Sequence, residues 1–164
     1  MSSVLAETGN RFRADPTAGR TAPAVTATLE NDRARCVAGP YSWEADLPLS
    51  IGGTNAAPSP TAYLLGALAA CGVVFINDTL APEFGVTVRG ITAVARCKAD
   101  LAGLLGITST VPDLTDLEID ITVDTPDPAS KTGPMFDAWS SRCPIYLALR
   151  TSNAVPFRTV RSES

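Results

Sequence analysis

Along the chain, apolar and polar positions alternate with a period of two in several short stretches and run together in one long one. Ala24–Leu29 (AVTATL) sets Val, Thr and Leu in partial alternation and predicts a strand. After an Asn31-Asp32 turn, Arg33–Val37 alternates again. A second turn at Gly39-Pro40 leads into Tyr41–Leu49, where Tyr41, Trp43, Ala45 and Leu47 face away from Ser42, Glu44 and Asp46, as in a half-buried hairpin strand. Ile51–Pro60 carries turn chemistry throughout. Ser59 then reads as an N-cap and Pro60 as the first residue of a helix over 60–79. The interior of that helix is almost wholly apolar, which predicts cover on nearly every side, and Gly66, Ala67, Ala69, Ala70 and Gly72 keep it thin.

Downstream, Phe84–Lys98 is rich in β-branched residues and predicts one bent strand, or two around Gly90. Asp100–Leu105 predicts a single helical turn, and Leu117–Val123 alternates cleanly as a strand. Met135–Arg142 is a short helix interrupted by Cys143-Pro144, and Pro144 opens a second helix. Val155–Val160 reads as an edge strand. Residues 1–22 lack periodicity and read as a loose arm before a single domain over 23–164. The order of strands, long helix, strands, helix pair and strand is α+β.

Composition narrows the chemistry. The 164 residues contain 13 Lys and Arg against 17 Asp and Glu, a net charge of −4 that argues against a nucleic-acid partner. Charged residues make up only 18%, below the roughly 25% of a soluble domain, which points to apolar surface buried between subunits. The longest apolar stretch, Tyr63–Ile76, is 14 residues, too short to span a bilayer, so no membrane partner is expected. The N-terminus carries no apolar signal segment, which suggests a cytoplasmic protein with reduced thiols.

Histidine is absent, which removes Ser-His-Asp and Cys-His catalysis and histidine-held metals. Cys36, Cys71, Cys97 and Cys143 form no CxxC, so no metal site is expected. IGGTN lacks GxxxxGK[ST] and is no phosphate loop. Cys71, within the long apolar helix, is either a small buried hydrophobe or a functional thiol. Cys143 stands at a helix start, where unpaired backbone N–H groups favour a thiolate. Cys36 and Cys97 sit in strand-like stretches with no sign of reactivity. Arg33, Arg35, Arg89, Arg96 and Arg142 are candidate thiolate partners, but spacing places none of them beside a cysteine.

Taken together, Gly52–Cys71 (GGTNAAPSPTAYLLGALAAC) and Ser141–Leu149 (SRCPIYLAL) resemble the first-cysteine helix and the Cys-Pro helix of the OsmC/Ohr-like superfamily. Between them, GVTVRGITAVARCKADLAGLLGI resembles its middle strands, and the likeness spans residues 24–160. The resemblance implies an intertwined homodimer in which antiparallel sheets wrap long central helices, with active sites at the subunit interface. It also implies a thiol-dependent peroxidase that reduces organic hydroperoxides, and hydrogen peroxide in some members, without metal or haem cofactor. Cys71 would be the peroxidatic nucleophile and Cys143 the resolving thiol, restored by a dithiol, dihydrolipoyl or thioredoxin-like reductant. An arginine from the N-terminal strands would activate the thiol, and Arg33 and Arg35 both fall near the matching place, with Arg33 preferred. The family's peroxidases hold that arginine with a glutamate directly after the helix-starting proline, where this chain has Thr61. Trp139 stands where Ohr-type sequences have histidine. Both departures suggest an OsmC-related branch rather than true Ohr. The alternative reading is an OsmC-like dimer that binds a small apolar ligand with little turnover.

Overall fold

The computed structural model describes residues 3–151, 155–157 and 159. Three N-terminal strands, β1 (Thr26–Glu30), β2 (Arg33–Ala38) and β3 (Tyr41–Ala45), form one antiparallel sheet in the order β1-β2-β3. Asn31 and Asp32 both take positive φ (51° and 61°), as a two-residue hairpin turn between β1 and β2 requires. A second antiparallel sheet pairs β4 (Gly90–Lys98) with β5 (Thr115–Asp124). The inward side chains of that ribbon, Ile91, Ala95, Leu117, Ile119, Ile121 and Val123, pack on the core. Outward, Arg96 bonds Glu118 and Asp120, and Lys98 lies 2.7 Å from Asp116.

Between the sheets runs α2 (Pro60–Phe75), which starts where expected: Ser59 Oγ accepts the Ala62 N–H, and Pro60 opens the first turn. The helix does not stop at 79. It passes through a π turn at Ile76–Leu80 into α3 (Ala81–Phe84), a continuous run from Pro60 to Phe84. Its 25 residues are long and apolar enough to cross a membrane by length and composition, unlike the 14-residue run judged from sequence. One side, through Leu68, Gly72, Ile76 and Leu80, is buried in the core. Gly72 lets it lie close on the β4–β5 ribbon, since a Cβ there would meet Ile121 Cδ1 at 3.1 Å and Ala93 Cβ at 3.2 Å. The opposite side, Ala62, Gly66, Ala67, Ala70 and Val74, is exposed. The near-complete cover expected of this helix is therefore not supplied by the described residues of one chain.

The core joins α2 and α3 to α5 (Ala129–Arg142) and α6 (Pro144–Arg150) through Leu68, Ile76, Leu80, Met135, Trp139 and Cys143. Helix α5 begins six residues before the expected Met135 and runs through Pro134. Its start is pinned by Lys131 Nζ, which donates to Gly85 O (3.0 Å) and Asp127 Oδ1 (2.8 Å). The strand expected from Phe84 begins only at Gly90, because Phe84 ends α3. The single turn expected at Asp100–Leu105 is α4 (Leu101–Leu104), capped by the Asp100 carboxylate. At the N-terminus the expected loose arm is helical: α1 spans Ser3–Ala14, and a 3-10 turn follows at Pro16–Gly19. Of the strand expected at Val155–Val160, residues 155–157 and 159 are irregular, and 158 and 160 lie outside the described residues.

Strand β3 ends at Ala45, short of the expected Leu49, because Asp46 turns the chain. This carboxylate, 6% exposed, accepts from Leu47 N–H, Thr54 N–H, Thr54 Oγ1 (2.6 Å) and Ala56 N–H (2.9 Å). It folds residues 47–56 into a closed loop at the entry of α2. The Thr54 hydroxyl and then the Ala56 N–H hold its pKa down, from 3.8 to about 2. A carboxyl depressed in the folded state stabilises the fold above its unfolded pKa and loses that contribution as pH falls. Acid unfolding is therefore expected to steepen between about pH 4 and pH 2, and Asp46→Asn to flatten that limb in a circular-dichroism titration.

Candidate functional site

Cys71 lies on α2 at the point where α5 and α6 meet, and Cys143 is the residue between those two helices. The backbone of Cys143 ends α5 (φ −67°, ψ 113°), and its side chain caps α6 by accepting the Tyr146 N–H at 3.5 Å. The Cys-Pro sequence dictates this corner: Pro144 needs no N–H acceptor, and the residue before a proline avoids helical backbone. The two sulfurs are 2.7 Å apart, although 72 residues separate them. This exceeds the bonded distance of about 2.05 Å, and both residues are free thiols. The other two cysteines are apart from this site: Cys36 pairs with Ala27 and Trp43 across the first sheet, and Cys97 sits at the β-bulge of β4.

The two thiols are unequal: Cys143 is fully buried, whereas Cys71 is only partly so. Burial, followed by the hydrogen bond and charge of the adjoining Cys143, pushes the Cys71 thiol up from 9.0 to about 12. Among the described residues these are the influences on Cys71, and neither Arg33 nor Arg35 is one of them.

Both arginines lie on β2. Arg33 Nη1 is 3.3 Å from Glu44 Oε2 on β3, and Arg35 Nη1 is 3.5 Å from Glu30 Oε2 on β1. Glu44 is tied in turn to α2, because the Tyr63 hydroxyl donates to its backbone oxygen at 2.6 Å and the Tyr63 ring packs on Trp43. Thr61, in the first turn of α2, makes no such pair. It lines a cavity of about 430 Å³ with Leu47, Ile51, Leu101 and Leu104, apart from both cysteines. Of the remaining arginines, Arg142 binds both carboxylate oxygens of Glu83 on α3 (2.8 and 3.0 Å), next to Cys143 in sequence. Arg96 is engaged on the outer face of the ribbon.

Sequence reasoning noted Trp139 only for what it replaced. In the structure its indole N–H donates to the Cys71 carbonyl oxygen at 3.3 Å, and its ring packs on Tyr146 at 5.1 Å. No spacing along the chain carried that signal, because the bond joins elements 68 residues apart.

Comparisons with known proteins agree on the architecture. The fold matches an OsmC-like protein from Mycoplasma pneumoniae at 21% identity and a TM-score of 0.66, over 79% of this chain and 88% of that one. It matches an OsmC-like hydroperoxide resistance protein from Jannaschia sp. at 18% identity and a TM-score of 0.54, over 87% and 93%. An organic hydroperoxide resistance protein from Elizabethkingia anophelis aligns at 16% identity and a TM-score of 0.58, over 80% and 89%. No curated protein matches the chain. The profile of the OsmC-like protein family matches residues 53–159, a span that takes in both cysteine blocks, and the chain thus belongs to that family.

Proposed function

We propose that this protein is a cysteine-based peroxidase that reduces organic hydroperoxides through Cys71 and Cys143. The observation that carries the reading is the pairing of the two sulfurs at 2.7 Å, one partly open and one buried. Cys71 as thiolate attacks the distal peroxide oxygen, the O–O bond breaks, and the leaving alkoxide takes a proton to become the alcohol. Cys71 is left as a sulfenic acid. Cys143 then displaces its hydroxyl, forming the disulfide and releasing water. A dithiol, dihydrolipoyl or thioredoxin-like partner reduces the disulfide by exchange.

The thiolate needs a cation, and Arg33 fits that role best. Glu44, itself anchored to α2 through Tyr63, supplies the acid that Thr61 does not, and so braces the guanidinium. This substitution of one bracing acid for another favours an OsmC-related branch over true Ohr. The protein works as an intertwined homodimer in the cytoplasm. The exposed small-residue side of α2 meets its counterpart, and the first sheet, whose β1 is exposed throughout, wraps the partner.

Titration of reduced protein with tert-butyl hydroperoxide tests the reading. One equivalent is expected to consume two thiols and yield linked Cys71 and Cys143 peptides in mass spectra. Cys71→Ser is expected to abolish consumption, and Cys143→Ser to stop at a trappable sulfenic acid. Linkage of Cys36 to Cys97 as the main product would sink it. The cavity beside Thr61 favours a second reading, an apolar-ligand binding protein. That reading gains if hydroperoxide leaves all thiols intact.

A further inference from the structure

The two cysteines stand on separate elements, and something must hold those elements in register. Salt bridges do so only at the margins: Arg142–Glu83 and Lys131–Asp127 each have an arginine or lysine about half exposed. Pairs of that kind contribute little. Trp139 is different, being 5% exposed and bonded to both cysteines at once. Its indole N–H donates to the carbonyl oxygen of Cys71 (3.3 Å), and its own carbonyl accepts the N–H of Cys143 (2.9 Å). A helical carbonyl has a second lone pair, so the Cys71 oxygen takes the indole without giving up its place in α2. On the far side the indole packs on Tyr146, whose N–H donates to Cys143 Sγ. Both anchors on the cysteines are backbone atoms, which leaves both sulfurs free to react.

We propose that Trp139 is a positioning residue that holds Cys143 against Cys71 and thereby sets the dithiol–disulfide equilibrium of the pair. The inference rests on reading Cys71 and Cys143 as a redox pair. Closing a disulfide demands Cα atoms within about 4.4–6.8 Å and a fixed torsion. A braced dithiol is already close to that arrangement and loses little freedom on oxidation. Without the indole N–H the α5–α6 corner relaxes away from α2 in the reduced protein, and bond formation must recover the register. Removal of one buried hydrogen bond predicts an equilibrium shifted about fivefold toward the dithiol.

The test uses full-length protein with Cys36→Ser and Cys97→Ser, equilibrated against reduced and oxidised glutathione. One oxidised glutathione and the protein dithiol give the protein disulfide and two reduced glutathiones, and alkylation before mass spectrometry counts each form. Trp139→Phe keeps an aromatic ring and loses the donor. Its oxidation constant is expected to fall about fivefold, while Tyr41→Phe, loss of a donor at an exposed position of the first sheet, leaves it unmoved. An unchanged constant in Trp139→Phe, or an equal fall in Tyr41→Phe, overturns the proposal. A second measurement stands apart from any change at Trp139. In Trp43→Phe protein the remaining indole N–H is expected to exchange slowly with solvent, and exchange as fast as that of free indole overturns the brace. Failure of the redox reading looks different: no Cys71–Cys143 disulfide forms at any glutathione ratio, with tryptophan or phenylalanine at 139 alike, and the brace falls with it.

Discussion

Gly53→Ala is expected to lower the melting temperature by about 10 °C. A Cβ at Gly53 would stand 2.0 Å from the Leu47 carbonyl oxygen and 2.4 Å from its carbon, both backbone atoms with nowhere to retreat. The same Leu47 oxygen accepts the Asn55 N–H, and Gly53 N–H bonds Pro48 O. Relief of the clash therefore opens the loop and strips donors from the buried Asp46 carboxylate. A loss on the order of 3–5 kcal/mol follows. Gly133→Ala makes the contrast, because a Cβ there meets nothing within 4 Å and the helix gains propensity. Calorimetry at one protein concentration is expected to show a fall for the first and a rise of a few degrees for the second.

The second large effect concerns the charge at Cys71. Burial and Cys143 push this thiol up to about 12, so a lone chain would hold almost no thiolate at neutral pH. A peroxidase needs the opposite. With Cys36, Cys97 and Cys143 replaced by serine, the alkylation midpoint of Cys71 is expected to lie well below the ~8.5 of an ordinary thiol. Arg33→Ala is expected to raise it, slowing alkylation at pH 7 by up to about tenfold for each unit of rise. The substitution removes a partly exposed ion pair, so stability should hold within about 1 kcal/mol. A midpoint at or above ~8.5, unchanged by Arg33→Ala and Arg35→Ala, would mean no activating cation and would move the balance to the ligand-binding reading.

Much of this was legible in the sequence where local chemistry decides the backbone. Ser59-Pro60 announced the start of α2 and Cys143-Pro144 the corner between α5 and α6, because a cap and a proline act on their own neighbours. The alternation of Leu117, Ile119, Ile121 and Val123 gave away β5 for the same reason. Helix α1 stayed hidden because its partly covered face runs through Leu5, Thr8, Gly9 and Phe12, of which only two are large and apolar. The extension of α2 past 79 was masked by Pro82, which sits in the first turn of α3 without ending the helical run. At the site, the family pattern singled out the two cysteines, but their approach to 2.7 Å joins elements 72 residues apart. The brace at Trp139 and the Glu44 partner of Arg33 depend equally on tertiary packing, to which spacing along a chain is blind.

A second copy seated on the bare side of α2 would make stability itself a function of how much protein is present. Whatever covers Ala62, Gly66, Ala70 and Val74 binds the folded chain and not the unfolded one, and so adds RT ln(1 + [L]/Kd) to the free energy of unfolding. If the covering surface is a second copy, dilution alone becomes a denaturant. At a hundredfold excess over the dissociation constant the gain is about 2.7 kcal/mol, a sizeable share of what holds a domain of this size together. The peroxide-consuming form and the well-folded form would then be one species, rising and falling with the abundance of the chain.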